Sequence, residues 1–274
     1  MTNLKSKFYL TAILALFIGI SIFGGGWINS AYAGQSYATN TVKVGVGHFA
    51  YGETAGDSDS GTAYTLTDRL NYHTGLYMLT GRVSLGYVPA NYSYSGVTGN
   101  VNYELNDFSA GAGIDPRMLN GYMQNQLYVS LGQFTNSFMA ANSSFTGGVQ
   151  GYDEYYTVDY LGLTYKNVYA FNRRFSNVLK INYIYGLNGT ATTKHYDIDI
   201  SGYPEPNLTN ILGGENAYTV AEGLRYRLTN DLSLVGDVYY STLFLKNSNT
   251  SNYTYEPSSM THQYGLQLGV RCAF

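Results

Sequence analysis

The chain ends in an alternating stretch, Tyr264-Gly-Leu-Gln-Leu-Gly-Val-Arg-Cys-Ala-Phe274. Large or apolar side chains occupy one parity, and Gly, Gln, Arg and Ala occupy the other. A period of two places successive side chains on opposite faces of a β-strand. About ten residues suffice for a tilted strand to cross a bilayer. The stretch therefore predicts a strand with lipid on one side and a polar interior on the other.

The final residue, Phe274, is aromatic. This ending resembles the C-terminal strand of bacterial outer-membrane β-barrels, in which the terminal Phe is part of what the assembly machinery recognises. The resemblance implies an assembly signal and names the barrel-assembly machinery as a partner. Its residues in this sequence are Tyr264, Leu266, Leu268, Val270 and Phe274. The alternative is an edge strand of a soluble protein.

The N-terminal residues favour the membrane interpretation. Lys5 and Lys7 precede an apolar run from Phe8 to about Phe23, and Ala31-Tyr-Ala33 supplies a small-x-small cleavage site. This order is typical of a secretory signal peptide. We therefore expect a signal over residues 1–33 and one domain, the barrel, over residues 34–274. An uncleaved anchor helix is the alternative.

The composition suits a β-barrel better than a helical membrane protein. The chain has 30 Tyr, 32 Gly and only 12% charged residues. Its mean hydropathy is −0.16, and no run of about twenty apolar residues follows residue 33. Barrels escape hydropathy analysis because each strand is only half apolar and closure satisfies the backbone. Tyr favours strands and the bilayer interface, so it can build the aromatic girdles of a barrel.

Charge and cysteine content exclude several functions. Without Lys5 and Lys7 the mature chain keeps 13 of the 15 basic residues against 18 acidic ones, a net charge of −5. A nucleic-acid partner is therefore not expected, because it would call for a basic surface. Cys272 is the only cysteine, which rules out an intrachain disulfide.

Alternating segments predict an all-β fold, a transmembrane antiparallel up-and-down barrel of ten strands, with eight or twelve as alternatives. Segment 155–171 has no clean phase, so its faces stay unassigned. Short connections at 171–175 and 229–231 and long ones at 136–154, 189–215 and 246–261 predict periplasmic turns and termini, and extracellular loops. The segments are 41–51, 61–73, 75–88, 97–110, 121–135, 155–171, 176–188, 216–229, 232–246 and 262–274.

The same alternation predicts which charges face the lumen. Basic residues exceed acidic ones there, which would concentrate anions in a narrow pore. The alternative is a hydrogen-bonded network that only holds the wall together. Asp68 and Glu222 fall on the predicted lipid face, where charge is costly. The predicted lumen residues are Lys43, Arg69, Arg82, Glu104, Lys180, Arg225, Arg227, Asp237 and Arg271.

No catalytic motif of the known barrel enzymes is present. The omptin proteases would show paired acidic residues and a His-Asp pair, and the sequence has neither an Asp-Asp nor a His-Asp dipeptide. A lipid A deacylase would show His-x-Ser, which is also absent. A Ser/His/Asn phospholipase site assembles only in space. His48 and His262 are candidates for it, and both also fit an aromatic girdle.

His195, Asp197 and Asp199 form the one local cluster with metal-ligand chemistry, in a loop where such residues are usually just solvated. We predict no metal, no cofactor and no enzymatic activity. The predicted function is a narrow pore for ions or small solutes, surrounded by outer-membrane lipid and lipopolysaccharide. Alternatives are a plugged barrel that binds an unknown surface ligand through Tyr-rich loops and a lipid-modifying enzyme. The loop aromatics are Tyr92, Tyr94, Phe138, Phe145, Tyr152, Tyr196, Tyr203, Tyr253 and Tyr255.

Overall fold

The computed structural model describes residues 36–115, 123–141, 143, 145–146, 151–194, 208–249 and 257–274. The signal segment 1–33 and the cluster His195, Asp197 and Asp199 lie outside the described residues. Among the described residues, no helix is long and apolar enough to cross a membrane. The strands are Tyr37–Glu53 (β1), Ser58–Thr74 (β2), Tyr77–Tyr94 (β3), Val97–Ile114 (β4), Met123–Met139 (β5), Asp153–Ala170 (β6), Phe175–Lys194 (β7), Leu208–Ile211 (β8), Glu215–Arg227 (β9), Leu232–Leu245 (β10) and Ser259–Ala273 (β11).

Ten of these strands close into one antiparallel barrel. β1 pairs with both β2 and β11, and the ring runs on through β3, β4, β5, β6, β7, β9 and β10. The short β8 pairs only with Thr190–Thr193 of β7, outside the ring. The predicted fold and strand number are confirmed. Closure matters physically because no strand edge is left with unpaired backbone groups.

The two ends of the barrel differ in their connections. At one end, here called the turn end, β2 and β3 are joined by two residues and β6–β7 and β9–β10 by four each. At the other, the loop end, lie the long connections 140–152, 195–214 and 246–258. One loop-end connection is nevertheless tight: Ser95 and Gly96 have φ values of 47° and 84°, as a type I′ hairpin turn requires. The strands therefore extend further than predicted here, and 89–94 belongs to β3.

The outer wall is an apolar belt bordered by aromatic residues. Its centre consists of exposed Val and Leu, including Val44, Leu266, Leu268 and Val270. Strands of about 17 residues tilted by 40° rise roughly 40 Å, more than the ~25 Å apolar band of such barrels. The loop-side girdle is Tyr64, Tyr87, Tyr183, Tyr218, Tyr240 and Tyr264. The turn-side girdle is Tyr72, Tyr77, Tyr165, Tyr169, Phe171 and Phe175.

A β-bulge in β7 changes which residues of that strand face inward. Tyr160 of β6 pairs with Gly186, but Asp159 pairs with Asn188, so Leu187 is an extra residue. Leu187 and Asn188 are both exposed on the outer face, and beyond them the inward parity of β7 changes from even to odd. In β6 itself the even residues, such as Tyr156 and Thr164, are the buried ones. The even-numbered residues of segment 155–171 therefore face the lumen, and the odd-numbered ones face outward.

Candidate site in the barrel lumen

The structure brings most of the predicted lumen charges together. Strand pairing places Lys43 opposite Thr67, and Arg69 opposite Arg82, all on the inner face. Elsewhere on the ring, Lys180 pairs with Ala221 and Asp237 with Gly223, again on the inner face. Arg225 and Arg271 point inward nearer the turn end, and Arg227 lies exposed at that end. The remaining predicted residue, Glu104, does not belong to this group.

Glu104 stands on the outer wall, contrary to the prediction. It pairs with Tyr87 of the loop-side girdle, so both side chains leave the barrel on the same side. The apolar residues Val101 and Tyr103, which lie on the other parity of β4, are 1% and 2% exposed inside the lumen. The physical reason is that the loop-end half of β4 rises above the apolar belt. There the wall faces water, and burial of the apolar residues inside decides the phase.

Two inward charges near the middle of the barrel escaped the sequence reasoning. Lys166 of β6 lies directly opposite Lys180 of β7, and its segment had no readable alternation. Asp107 follows from the corrected phase of β4 and pairs with Ser84 on the inner face. Because Asp107 faces inward, strict alternation along β4 also places Tyr103 and Val101 inside the lumen. The prediction failed because it assumed that the apolar belt continues to the loop end.

Ion pairs and hydrogen bonds fix some of these charges. Lys43 forms a salt bridge with Asp237 across the intervening strand β11. Arg82 Nη1 lies 3.0 Å from Asp107 Oδ2, and the Tyr160 hydroxyl donates to Asp107 at 2.6 Å. These contacts tie together opposite signs that the narrow interior keeps away from bulk water. A structural role for part of the network is therefore evident.

Other polar residues of the lumen do not reach a carboxylate. Arg69 donates to the hydroxyl of Tyr128, whose ring centroid lies 5.8 Å from the guanidinium carbon. Among the described residues, Lys166, Lys180, Arg225 and Arg271 form no salt bridge. Positive charge thus exceeds negative charge in the turn-side half of the lumen.

Two adjoining cavities occupy the middle of the barrel. The turn-side cavity, here called the basic chamber, has a volume of about 180 Å³. The upper cavity above it has a volume of about 160 Å³ and reaches Glu215 and Leu243 near the loop end. Arg82 lines both. The charged residues lining the basic chamber are Lys43, Arg69, Arg82, Lys166, Lys180 and Asp237.

Side chains close most of the lumen at the loop end. Phe49, Tyr51, Tyr103 and Phe138 are buried in one cluster, and with Tyr156 they form the aromatic plug. The Tyr51 and Tyr156 hydroxyl oxygens lie 3.5 Å apart, although β1 and β6 stand five strands apart on opposite sides of the ring. The contact therefore spans the lumen.

Carboxylates accompany the plug. Tyr103 donates to Asp59, and Tyr156 donates to Glu154 at 2.9 Å. Asp59 lies five residues beyond Tyr64, outside the apolar belt, and burial raises its pKa to about 6 although the bond from Tyr103 opposes the shift. Burial likewise raises the pKa of Asp57 in the adjacent connection. The lumen is thus acidic at the loop end and basic toward the turn end.

A polar cluster lies at the turn end. His73 Nδ1 and Asp115 Oδ2 are 2.7 Å apart, and the Gln124 amide donates to both Asp115 oxygens at 2.8 Å. Tyr37 stacks on His73 with ring centroids 4.3 Å apart. Burial would raise the pKa of Asp115, but the contacts with His73, Gln124 and Gln126 outweigh burial and lower that pKa. The cluster anchors the start of β1 to β2.

The candidate catalytic histidines face outward into the girdle. His262 Nδ1 lies 2.8 Å from the Tyr240 hydroxyl, and His48 packs against Tyr264 with ring centroids 5.2 Å apart. Neither contact involves a serine or a carboxylate. On the same outer face, Asn177 donates to Glu222 at 3.2 Å, and Asp68 is half-buried between Val42 and Val83.

Several loop aromatics have a packing role. Phe138 belongs to the aromatic plug, and Tyr92 packs on it with ring centroids 6.3 Å apart. Phe145 and Tyr152 pack against the same cluster. Tyr94 is exposed. Tyr196, Tyr203, Tyr253 and Tyr255 lie outside the described residues.

Solved structures share this architecture. The outer-membrane protease OmpT of Escherichia coli superposes with a TM-score of 0.60 over 90% of this chain and 99% of its own, at 14% sequence identity. This chain has the fold of a bacterial outer-membrane β-barrel. At this identity the similarity concerns the fold alone, and the protease activity belongs to OmpT.

More distant similarity extends to other outer-membrane barrels. The translocator domain of the autotransporter NalP from Neisseria meningitidis covers 98% of both chains at 12% identity with a TM-score of 0.47. The attachment invasion locus protein Ail of Yersinia pestis covers 85% of this outer-membrane barrel and 98% of its own chain at 10% identity, with a TM-score of 0.33. No protein-family model and no curated protein matches the sequence.

Proposed function

We propose that this outer-membrane barrel is a non-enzymatic, narrow pore that favours small anions. The observation that carries the proposal is the basic chamber, in which five cations meet two carboxylates, Asp237 and the Asp107 bound to Arg82. The formal net charge of the chamber is therefore +3, from five basic residues and two carboxylates. Fixed charge in a narrow, low-dielectric passage raises the local concentration of counter-ions.

The outer surface supports a position in the outer membrane. An apolar belt bordered by two aromatic girdles matches the hydrocarbon core and its interfaces. The proposed orientation puts the turn end, with Tyr37 and Phe274, in the periplasm. The long connections of the loop end then face the outside.

The aromatic plug would set the conductance of this pore. The Tyr51–Tyr156 contact crosses the lumen at the loop end, and the upper cavity extends from the basic chamber to Glu215. An anion that leaves the basic chamber through the loop end meets Asp59, Glu154 and Glu215. Opposite charge at the two ends of one passage predicts a small, rectifying current.

A second candidate function rests on the same plug. If Tyr51 and Tyr156 keep the passage shut, the barrel would act through its surface, and the exposed Tyr94 would belong to the binding face. Such a barrel carries no current but still folds. A lipid-modifying activity is not favoured, because His48 and His262 contact tyrosines in the girdle.

Charge reversal in the chamber tests the proposed pore. Single-channel reversal potentials in a KCl gradient are compared for the purified protein, Lys180→Glu and Lys246→Glu. Lys180 lines the chamber, whereas Lys246 is exposed beside β10 at the loop end, so it is a matched control. We expect Lys180→Glu to shift the reversal potential toward cations and the control to change it little. Equal potentials in all three proteins would contradict the chamber as the selectivity filter.

A further inference from the structure

Lys166 and Lys180 form an unusual pair in the lumen wall. They are direct cross-strand partners in the β6–β7 ladder, and both line the basic chamber. Side chains directly opposite each other in an antiparallel ladder have their Cβ atoms about 5 Å apart, and like charges there destabilise the pair. The sequence thus places two ammonium groups where they repel each other.

No carboxylate of the described residues forms a salt bridge with Lys166 or Lys180. Asp237 is engaged by Lys43, and Asp107 by Arg82 and the Tyr160 hydroxyl. Arg69 lines the same chamber and is also positive, and its hydrogen bond goes to a neutral tyrosine. Three cations therefore share one cavity with no negative partner of their own.

The chamber has room for a ligand that would supply this charge. Its volume of about 180 Å³ is more than ten times what one water molecule needs. Neutral donors border the cations, namely Thr67, Asn71 and Thr219. Lysine ammonium and arginine guanidinium groups together offer several charge-assisted hydrogen bonds, which suit the multiple oxygens of a tetrahedral anion better than a single halide.

Basic residues also mark a path into the chamber. Arg227 is exposed at the turn end, and Arg225 and Arg271 point inward between it and Lys166. The Nε atom of Arg225 has no hydrogen-bond partner among the described residues. The loop end is obstructed by the aromatic plug and bordered by carboxylates. An anion would therefore enter from the turn end, attracted by the positive potential of these residues.

The geometry points to a binding site for one doubly charged oxyanion, a phosphate or phosphate monoester, held by Lys166, Lys180 and Arg69. This inference rests on the proposed function only in requiring that the chamber opens to water at the turn end. It extends the proposed preference for anions to one saturable binding site for an oxyanion. Bound phosphate would neutralise the like-charge pair and stabilise the folded barrel.

The test is calorimetric titration of the detergent-purified full-length protein with inorganic phosphate at constant ionic strength. We expect one phosphate per barrel and at least tenfold weaker binding in Lys180→Gln, with Lys246→Gln unchanged. A second arm uses micelles of short-chain phosphatidic acid, which carries the same phosphate on a lipid. Saturable binding of inorganic phosphate would indicate that the ligand is a free solute. Binding of phosphatidic acid alone would contradict entry of the anion from the turn end.

Thermal unfolding, followed by heat-modifiable gel mobility, supplies a readout that a merely structural role would not move. In chloride alone, Lys180→Gln should melt above the wild type, because it removes the repulsion with Lys166. In phosphate the order should reverse, because only the wild type gains the ligand. The same order in both salts, or no phosphate binding by a folded wild type, would overturn the site.

The two proposals can fail separately. Phosphate binding without any channel current would refute the pore and leave the site intact. Channel current with no saturable phosphate binding would refute the site and leave the pore intact. Equal effects of phosphate and chloride at matched ionic strength would reduce the chamber to unspecific screening and contradict the oxyanion site.

Discussion

The salt bridge between Lys43 and Asp237 allows a prediction in which stability and selectivity change in opposite directions. The two side chains are 23% and 12% exposed, so lumen water screens them only in part. Asp237→Asn removes the charge, nearly preserves the shape and leaves Lys43 without its carboxylate. It also raises the net charge of the basic chamber from about +3 to about +4.

The stability cost follows from burial. Removing one partner of a buried pair costs about 3–5 kcal/mol, and a surface pair about 0–1 kcal/mol. For a half-buried pair facing a water-accessible cavity we expect about 1–3 kcal/mol. At the same time the added positive charge should move the reversal potential further toward anions.

Heat-modifiable gel mobility measures the stability change, and bilayer recordings measure the selectivity. Asp231→Asn, in the exposed turn before β10, is the matched control and should alter neither quantity. In the double variant Lys43→Gln with Asp237→Asn, the penalty should be smaller than the sum of the single penalties, because no charge is left unpaired. Additive penalties, or an unchanged melting point in Asp237→Asn, would refute the salt bridge as a stabilising contact.

Four further outcomes are expected. Replacing Tyr51 and Tyr156 by Ala should widen the loop-end crossing and increase the single-channel conductance severalfold; an unchanged conductance would place the constriction elsewhere. Asp59→Asn should stabilise the barrel above about pH 6 and not below pH 4, because the raised pKa of Asp59 makes its ionisation in the fold cost free energy that builds up between these values to at most about 3 kcal/mol; the same difference in melting point between variant and wild type at pH 4 and pH 8 would contradict it. Glu104→Gln should leave ion selectivity unchanged, since Glu104 lies on the outer wall, and a shift in selectivity would contradict that placement. Phe274→Ala should lower the amount of folded barrel in the outer membrane without changing the current of the molecules that insert; normal folded levels would contradict the assembly signal.

The sequence predicted the parts of this barrel in which lipid enforces alternation. In β11 the outward residues from Tyr264 to Val270 form part of the apolar belt and its girdle. The period of two could therefore be read without knowledge of the fold. The turn-side charges Arg225 and Arg271 followed from the same parity. The strand number could also be derived, because short and long connections alternate from residue 136 onward.

Prediction failed where the wall leaves the membrane or changes register. Above the belt, Val101 and Tyr103 turn inward to fill the lumen, which reversed the prediction for Glu104. Leu187 inserts an extra residue into β7, and no local residue pattern marks that bulge. Lys166 was missed because β6 carries large residues on both faces, so periodicity alone could not assign them.

The aromatic plug was also unpredictable from the sequence, for a different reason. Phe49, Tyr51 and Phe138 come from strands that are distant along the chain, and each fits an interfacial girdle equally well by composition. Only the closure of the ring brings Tyr51 opposite Tyr156.

The central claim is an anion-favouring passage through the basic chamber. The most direct measurement is the single-channel current of the unmodified protein in a planar bilayer with a tenfold KCl gradient. The account predicts discrete, small, rectifying steps whose reversal potential favours chloride. A cation-favouring reversal potential, or a folded and heat-modifiable barrel that never conducts, would contradict it.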